Sequence, residues 1–109
     1  MTYQHQKLAA GDWKKLSFIE QMANIGSEVN RIIIWKNQGN DKYAKAALFR
    51  ALELIDLSKE QVRDSRLKEL NRMRELLLDY FMFDNQYSQT DKQWQDYFLA
   101  FGWAARLKR

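Results

Sequence analysis

The apolar positions between Leu67 and Phe83 organise the rest of the chain. At about 100° per residue, Leu67, Leu70, Leu77, Leu78 and Phe81 share one side of a helix. Met73, Leu76, Tyr80 and Phe83 continue round its flank. The second half of this helix is therefore apolar over most of its circumference and must be covered on more than one side. Arg74 falls in the middle of the apolar stripe.

The same periodicity predicts three further helices. Ser17 followed by Glu20 forms a capping box, and Phe18, Met22, Ile25, Val29 and Ile32 make a seam widened by Ile33 and Trp35. Gly39 and Asn40 end that helix. A second helix spans about 41–57, with Tyr43, Ala44, Ala47, Leu48, Ala51, Leu54 and Ile55 on its inner face. The three alanines predict a close approach to the first helix, near the short end of the usual ~8–10 Å spacing. Phe49 points the other way. Ser58 with Gln61 reads as a cap for the third helix, with Asp64 or Ser65 as a second start. Thr90 with Gln93 caps a fourth, whose core stripe is Trp94, Tyr97, Phe98, Phe101 and Ala105. Leu99, Trp103 and Leu107 form a second stripe nearly opposite. The expected fold is an all-α, antiparallel four-helix bundle over residues 17–109, with residues 1–16 as a loose N-terminal arm anchored by Trp13 and Leu16.

Composition agrees with this picture and narrows the chemistry. Hydrophobic residues make up 46% of the 109 positions and aromatics 14%, which is too apolar for a disordered chain. Proline is absent and only four glycines occur, favouring long helices over a turn-rich β fold. One modest core fits this length. With no cysteine, disulfides, thiolate metal sites and thiol catalysis are excluded. The one histidine, His5, lies in the arm, so neither the Glu-x-x-His di-iron pattern nor a serine–histidine pair forms in the helices. No metal and no cofactor is expected. The N-terminus lacks an apolar core and no apolar run reaches ~18 residues, so the expectation is a soluble cytoplasmic protein with no membrane contact.

The net charge of +4 is small and dispersed. Glu60–Arg63, Asp64–Lys68 and Glu69–Arg72 have the spacing of solvated helix pairs, so nucleic-acid binding is expected to be weak or absent. The terminal Arg106, Lys108 and Arg109 complement a helix dipole.

Three stretches resemble known families. Residues 22–57 resemble the all-α nucleoside triphosphate pyrophosphatases through Glu53-Leu-Ile-Asp56. Ala23-Asn24 stand where that family has paired glutamates, and Glu28 is displaced by one. The helical projection instead places Glu53 and Asp56 on a solvated acidic edge. Gly39, Ala44, Leu48 and Ala51 are spaced like the second helix of a tetratricopeptide unit, but nothing repeats. Arg74-Glu-Leu-Leu-Leu-Asp79-Tyr80-Phe81 resembles the signature helix of small prokaryotic HEPN-type bundles. Asp79 stands in place of that family's His and Phe81 in place of its Tyr. The resemblance implies an RNA- or nucleotide-processing accessory domain.

An arginine on a core stripe keeps its charge and must meet a carboxylate or carbonyls. Glu28, Glu75 and Asp79 are the expected partners of Arg74, and Arg74, Glu28 and Asp79 form the candidate anion or ion-pair site. The candidate interface is Leu99, Trp103 and Leu107, with Phe49, Tyr80 and Phe83. The expectation is a non-enzymatic interaction or accessory protein, homodimeric or bound to another protein, with no catalytic residues; the alternatives are the HEPN-like accessory domain and a pyrophosphatase-like enzyme. A fold-back of the arm, with Trp13 and Leu16 covering the stripe of Leu99, Trp103 and Leu107, is the competing expectation.

Overall fold

The computed structural model describes residues 11–107. A 3-10 turn, Trp13–Lys15, leads into four helices: α1 (Phe18–Asn37), α2 (Asp41–Lys59), α3 (Asp64–Met82) and α4 (Asp91–Leu107). Among the described residues there is no strand. The packing is that of a four-helix bundle in which α1 lies between α2 and α4, and α3 packs on α2.

Local chemistry sets the helix ends. Ser17 accepts from the Glu20 amide (3.1 Å) while Glu20 accepts from the Ser17 amide (2.9 Å), closing the expected capping box. Gly39 takes a left-handed φ of +74° after α1, where a side chain would be strained. Asn40 then caps α2 through the Tyr43 amide at 3.1 Å. Thr90 and Gln93 exchange the same reciprocal pair at the start of α4.

One expected cap is not a cap. Ser58 lies inside α2, which runs on to Lys59, and α3 starts at Asp64. Asp64 has a φ of 58°, a conformation that Asp tolerates better than most residues, and Arg63 before it offers no side-chain cap.

The core is built from Met22, Ile25, Val29, Ile32 and Ile33 of α1 against Ala47, Leu48, Ala51, Leu54 and Ile55 of α2. Leu70, Met73 and Leu77 enter from α3, and Trp94 and Phe98 from α4. The buried alanines of α2 fit the expected close packing. α1 and α4 also approach closely, at a glycine: a Cβ on Gly26 of α1 would stand 2.7 Å from the Phe98 Cβ of α4.

The segment before α1 is not a loose arm where it is described. Trp13 is 1% exposed and belongs to the core. Its indole Nε1 donates to Ser58 Oγ (3.0 Å), and that hydroxyl donates to Gln21 Oε1 (2.8 Å). Gln21 Nε2 donates back to the Trp13 carbonyl at 3.0 Å. The ring of bonds closes on itself, and that explains why Ser58 and Gln21 can be buried. Trp13 is thereby committed to α1 and α2 and does not cover the α4 stripe; residues 1–10 lie outside the described residues.

Candidate interaction surface

α4 presents two faces. Trp94 and Phe98 are buried, and Tyr97 and Phe101 pack partly buried beside them, the Tyr97 ring edge-on to Phe98 and Phe101 at 5.0 and 5.5 Å. On the outer side Leu99 is 59% exposed, Trp103 57% and Leu107 78%. Three large apolar side chains at intervals of four residues line one stripe of a helix. Asp96 and Arg106 flank them. Asp96 pairs with Lys92 at 2.6 Å on the surface, and the Arg106 guanidinium sits 6.0 Å from the Trp103 ring centre.

Beside the stripe runs a groove of about 440 Å³ between α1 and α4. Its walls include Ala23, Gly26 and Ser27 of α1 and Leu99, Gly102 and Arg106 of α4. Gly102 leaves it open, since an added Cβ there would meet nothing within 4 Å, whereas the space at Gly26 is taken by Phe98. A second, mainly apolar groove of about 300 Å³ lies between α3 and α4, bordered by Met73, Leu76, Trp94 and Tyr97.

The other expected interface residues behave differently. Phe83 is exposed at the end of α3 and Phe49 on α2, as the periodicity implies. Tyr80 is half-buried and already bonded. Its hydroxyl donates to Asp91, which also accepts from Lys36 Nζ at 2.8 Å and Asn37 Nδ2 at 3.2 Å. Lys36 Nζ lies 4.5 Å from the Tyr80 ring centre. This cluster joins the end of α1, the end of α3 and the start of α4. Burial alone would push the Asp91 carboxyl up, but the hydrogen bonds from Lys36, Tyr80 and Asn37 outweigh it and hold Asp91 below its ordinary value. Burial alone would lower Lys36, yet its bonds to Asp91 and Tyr80 leave it raised.

The three residues of the candidate anion site do not converge. Arg74 meets Asp56 of α2, with Nε 2.9 Å from Oδ1 and Nη2 3.4 Å from Oδ2, rather than Glu28, Glu75 or Asp79. The side chains of the pair remain 34% and 41% exposed. Asp79 turns to the loop after α3 and accepts from the amides of Gln86 (2.9 Å) and Tyr87 (3.2 Å). Glu28 is buried and accepts from Arg31 (2.6 Å) and Arg50 (3.0 Å). Two guanidiniums on one carboxylate satisfy a buried charge that either would leave short.

The acidic edge on α2 also needs correction. Glu53 is buried and Asp56 is held by Arg74, so neither is a plain solvated carboxylate. Among the described residues no group of three or more His, Asp or Glu side chains is placed to hold a metal ion.

No family model, curated protein or solved structure matches this chain. Sequence reasoning missed Lys36 and Asp91 because they stand far apart in the chain and each looked like an ordinary charge at a helix end. It missed Gln21 because a glutamine between Glu20 and Met22 gives no signal of burial; only Trp13, an aromatic in a polar stretch, pointed there.

Proposed function

We propose that this chain is a non-enzymatic helical-bundle interaction or accessory module whose working surface is the outer face of α4. The observation that carries the reading is the unbroken apolar stripe of Leu99, Trp103 and Leu107, each more than half exposed. At these exposures the three side chains leave on the order of 400 Å² of accessible surface in water. Contiguous apolar patches of that size mark contact sites more often than isolated exposed residues do. Covering it supplies a gross term of about 10 kcal/mol at ~25 cal/mol per Å². That is of the same order as the ~4–15 kcal/mol cost of association.

The polar groups support the same reading. Arg74, on which an RNA- or nucleotide-processing role would turn, is engaged by Asp56. Arg31, Arg50 and Lys36 likewise face carboxylates, so these three cations are not free to neutralise phosphates. No described helix is long and apolar enough to cross a membrane.

Site-specific photocrosslinking tests the proposal. A photoreactive phenylalanine analogue replaces Trp103 in one variant and the exposed Lys42 of α2 in another, each expressed in the native cell. The expected result is a discrete protein adduct from position 103 and none from position 42. Equal, diffuse labelling from both positions refutes the reading.

A further inference from the structure

The outer face of α4 carries a pattern that identifies its partner, and this inference rests on the interaction role just proposed. Leu99 and Trp103 lie two residues either side of Phe101, and Asp96 and Arg106 lie five residues either side. All four belong to the outer side of α4, flanking or forming the exposed stripe. If two copies of α4 cross antiparallel about a twofold axis level with Phe101, Leu99 of each faces Trp103 of the other. The same operation brings Asp96 of each copy to Arg106 of the other. Apolar meets apolar, and each acid meets a base.

We propose that the partner of this face is a second copy of the same chain, paired antiparallel through α4.

A twofold contact is self-complementary by necessity, because the same patch supplies both sides. Most charged patches fail that condition, since a charge near the axis meets its own copy. Here the centre of the face is neutral and its two flanking charges are of opposite sign at equal distances from the centre. The competing bonds within one subunit are weak: Lys92 and Asp96 form a surface pair whose side chains are largely exposed, of a kind that contributes little.

The areas agree. The stripe offers on the order of 400 Å² per subunit, against ~800 Å² per partner in an interface of standard size. Further area is at hand in the α1–α4 groove, which Leu99 and Arg106 also line. An indole entering beside Leu99 finds open space at Gly102, where an added Cβ would meet nothing within 4 Å, and apolar walls in Val29, Ile33 and Phe98.

Analytical ultracentrifugation of the purified full chain, with charge exchange, tests the geometry. The wild type is expected to sediment as a dimer at about 100 μM, where even ~μM affinity shows. Trp103→Glu is expected to be monomeric with an unchanged far-UV spectrum. Asp96→Arg and Arg106→Glu are each expected to weaken the dimer by about fivefold or more, the size of effect an exposed pair gives. Mixed one to one, the two charge variants restore two opposite-charge pairs per dimer, so the mixture is expected to associate more tightly than either variant alone. Should Trp103→Glu fail to fold, that mixing experiment carries the test by itself.

A wild type that stays monomeric at about 100 μM overturns the proposal. So does a dimer indifferent to Trp103→Glu, or a mixture no tighter than its components. If the wild type is monomeric while position 103 still crosslinks to a different protein in cells, the second copy is refuted and the interaction face stands. If neither occurs, both fail.

Discussion

Removal of Trp13 tests whether the segment before α1 belongs to the domain. The side chain is 1% exposed and its Nε1 bonds Ser58. A buried Trp withdraws ~150–250 Å² from water, a transfer term of roughly 4–6 kcal/mol at ~25 cal/mol per Å². Partial collapse of the surroundings brings the expected loss for Trp13→Ala to about 3–5 kcal/mol. A domain of this size has only ~5–15 kcal/mol of stability in all, so the melting temperature should fall by more than about 12 °C. Trp13→Phe isolates the polar part, since it keeps most of the ring but removes the donor to Ser58. Ser58→Ala strands both the indole N–H and Gln21 Oε1, and should cost about 2–3 kcal/mol. The two changes remove one shared bond, so the double variant should lose about 1 kcal/mol less than the sum. Urea unfolding followed by far-UV circular dichroism measures the wild type and all four variants without relying on tryptophan emission. A Trp13→Ala loss below about 1 kcal/mol, the range of ordinary surface substitutions, would refute the reasoning, as would strict additivity in the cycle.

Gly26→Ala places a Cβ 2.7 Å from Phe98 and should destabilise the bundle by about 1–3 kcal/mol in thermal melts. Gly26→Ala that melts like the wild type would show the contact to be slack. Arg74→Met should cost under about 1 kcal/mol, because its pair with Asp56 is partly exposed rather than buried. A loss of ~3–5 kcal/mol would mean a buried pair instead. The pH dependence has two edges. Asp91 is held below its ordinary value of 3.8, so its contribution is present above that pH and is lost as the pH falls through the depressed value. Lys36 and Tyr80 are raised above 10.5 and 10.0, so their contributions are complete below those values and are lost as the pH climbs through the raised ones. Burial and the bond to Glu69 push Tyr97 up in the same direction. Denaturation between pH 3 and 11 should show a plateau falling at both ends, with the acid fall reduced in Asp91→Asn.

Hydrophobic spacing and local capping chemistry were sufficient to read the four helices, the start of α1 at Ser17 and of α4 at Thr90, and the exposed stripe on α4. Each of these depends on residues within about one turn of each other, and that information is written consecutively. Ser58 shows where such reasoning ends. Its spacing to Gln61 imitates a cap, but its hydroxyl is taken by Trp13 and Gln21, which reach it from elsewhere in the chain. The charged residues follow the same rule. Arg74 had three sensible partners by sequence and bonded a fourth, Asp56, because the crossing of α3 on α2 decides which carboxylate is within reach. Glu28 needed Arg50, and Lys36 needed Asp91, for the same reason. Helix formation is decided by neighbours along the chain. Which charge meets which, and that Trp13 is core, is decided by how the finished helices lie against one another.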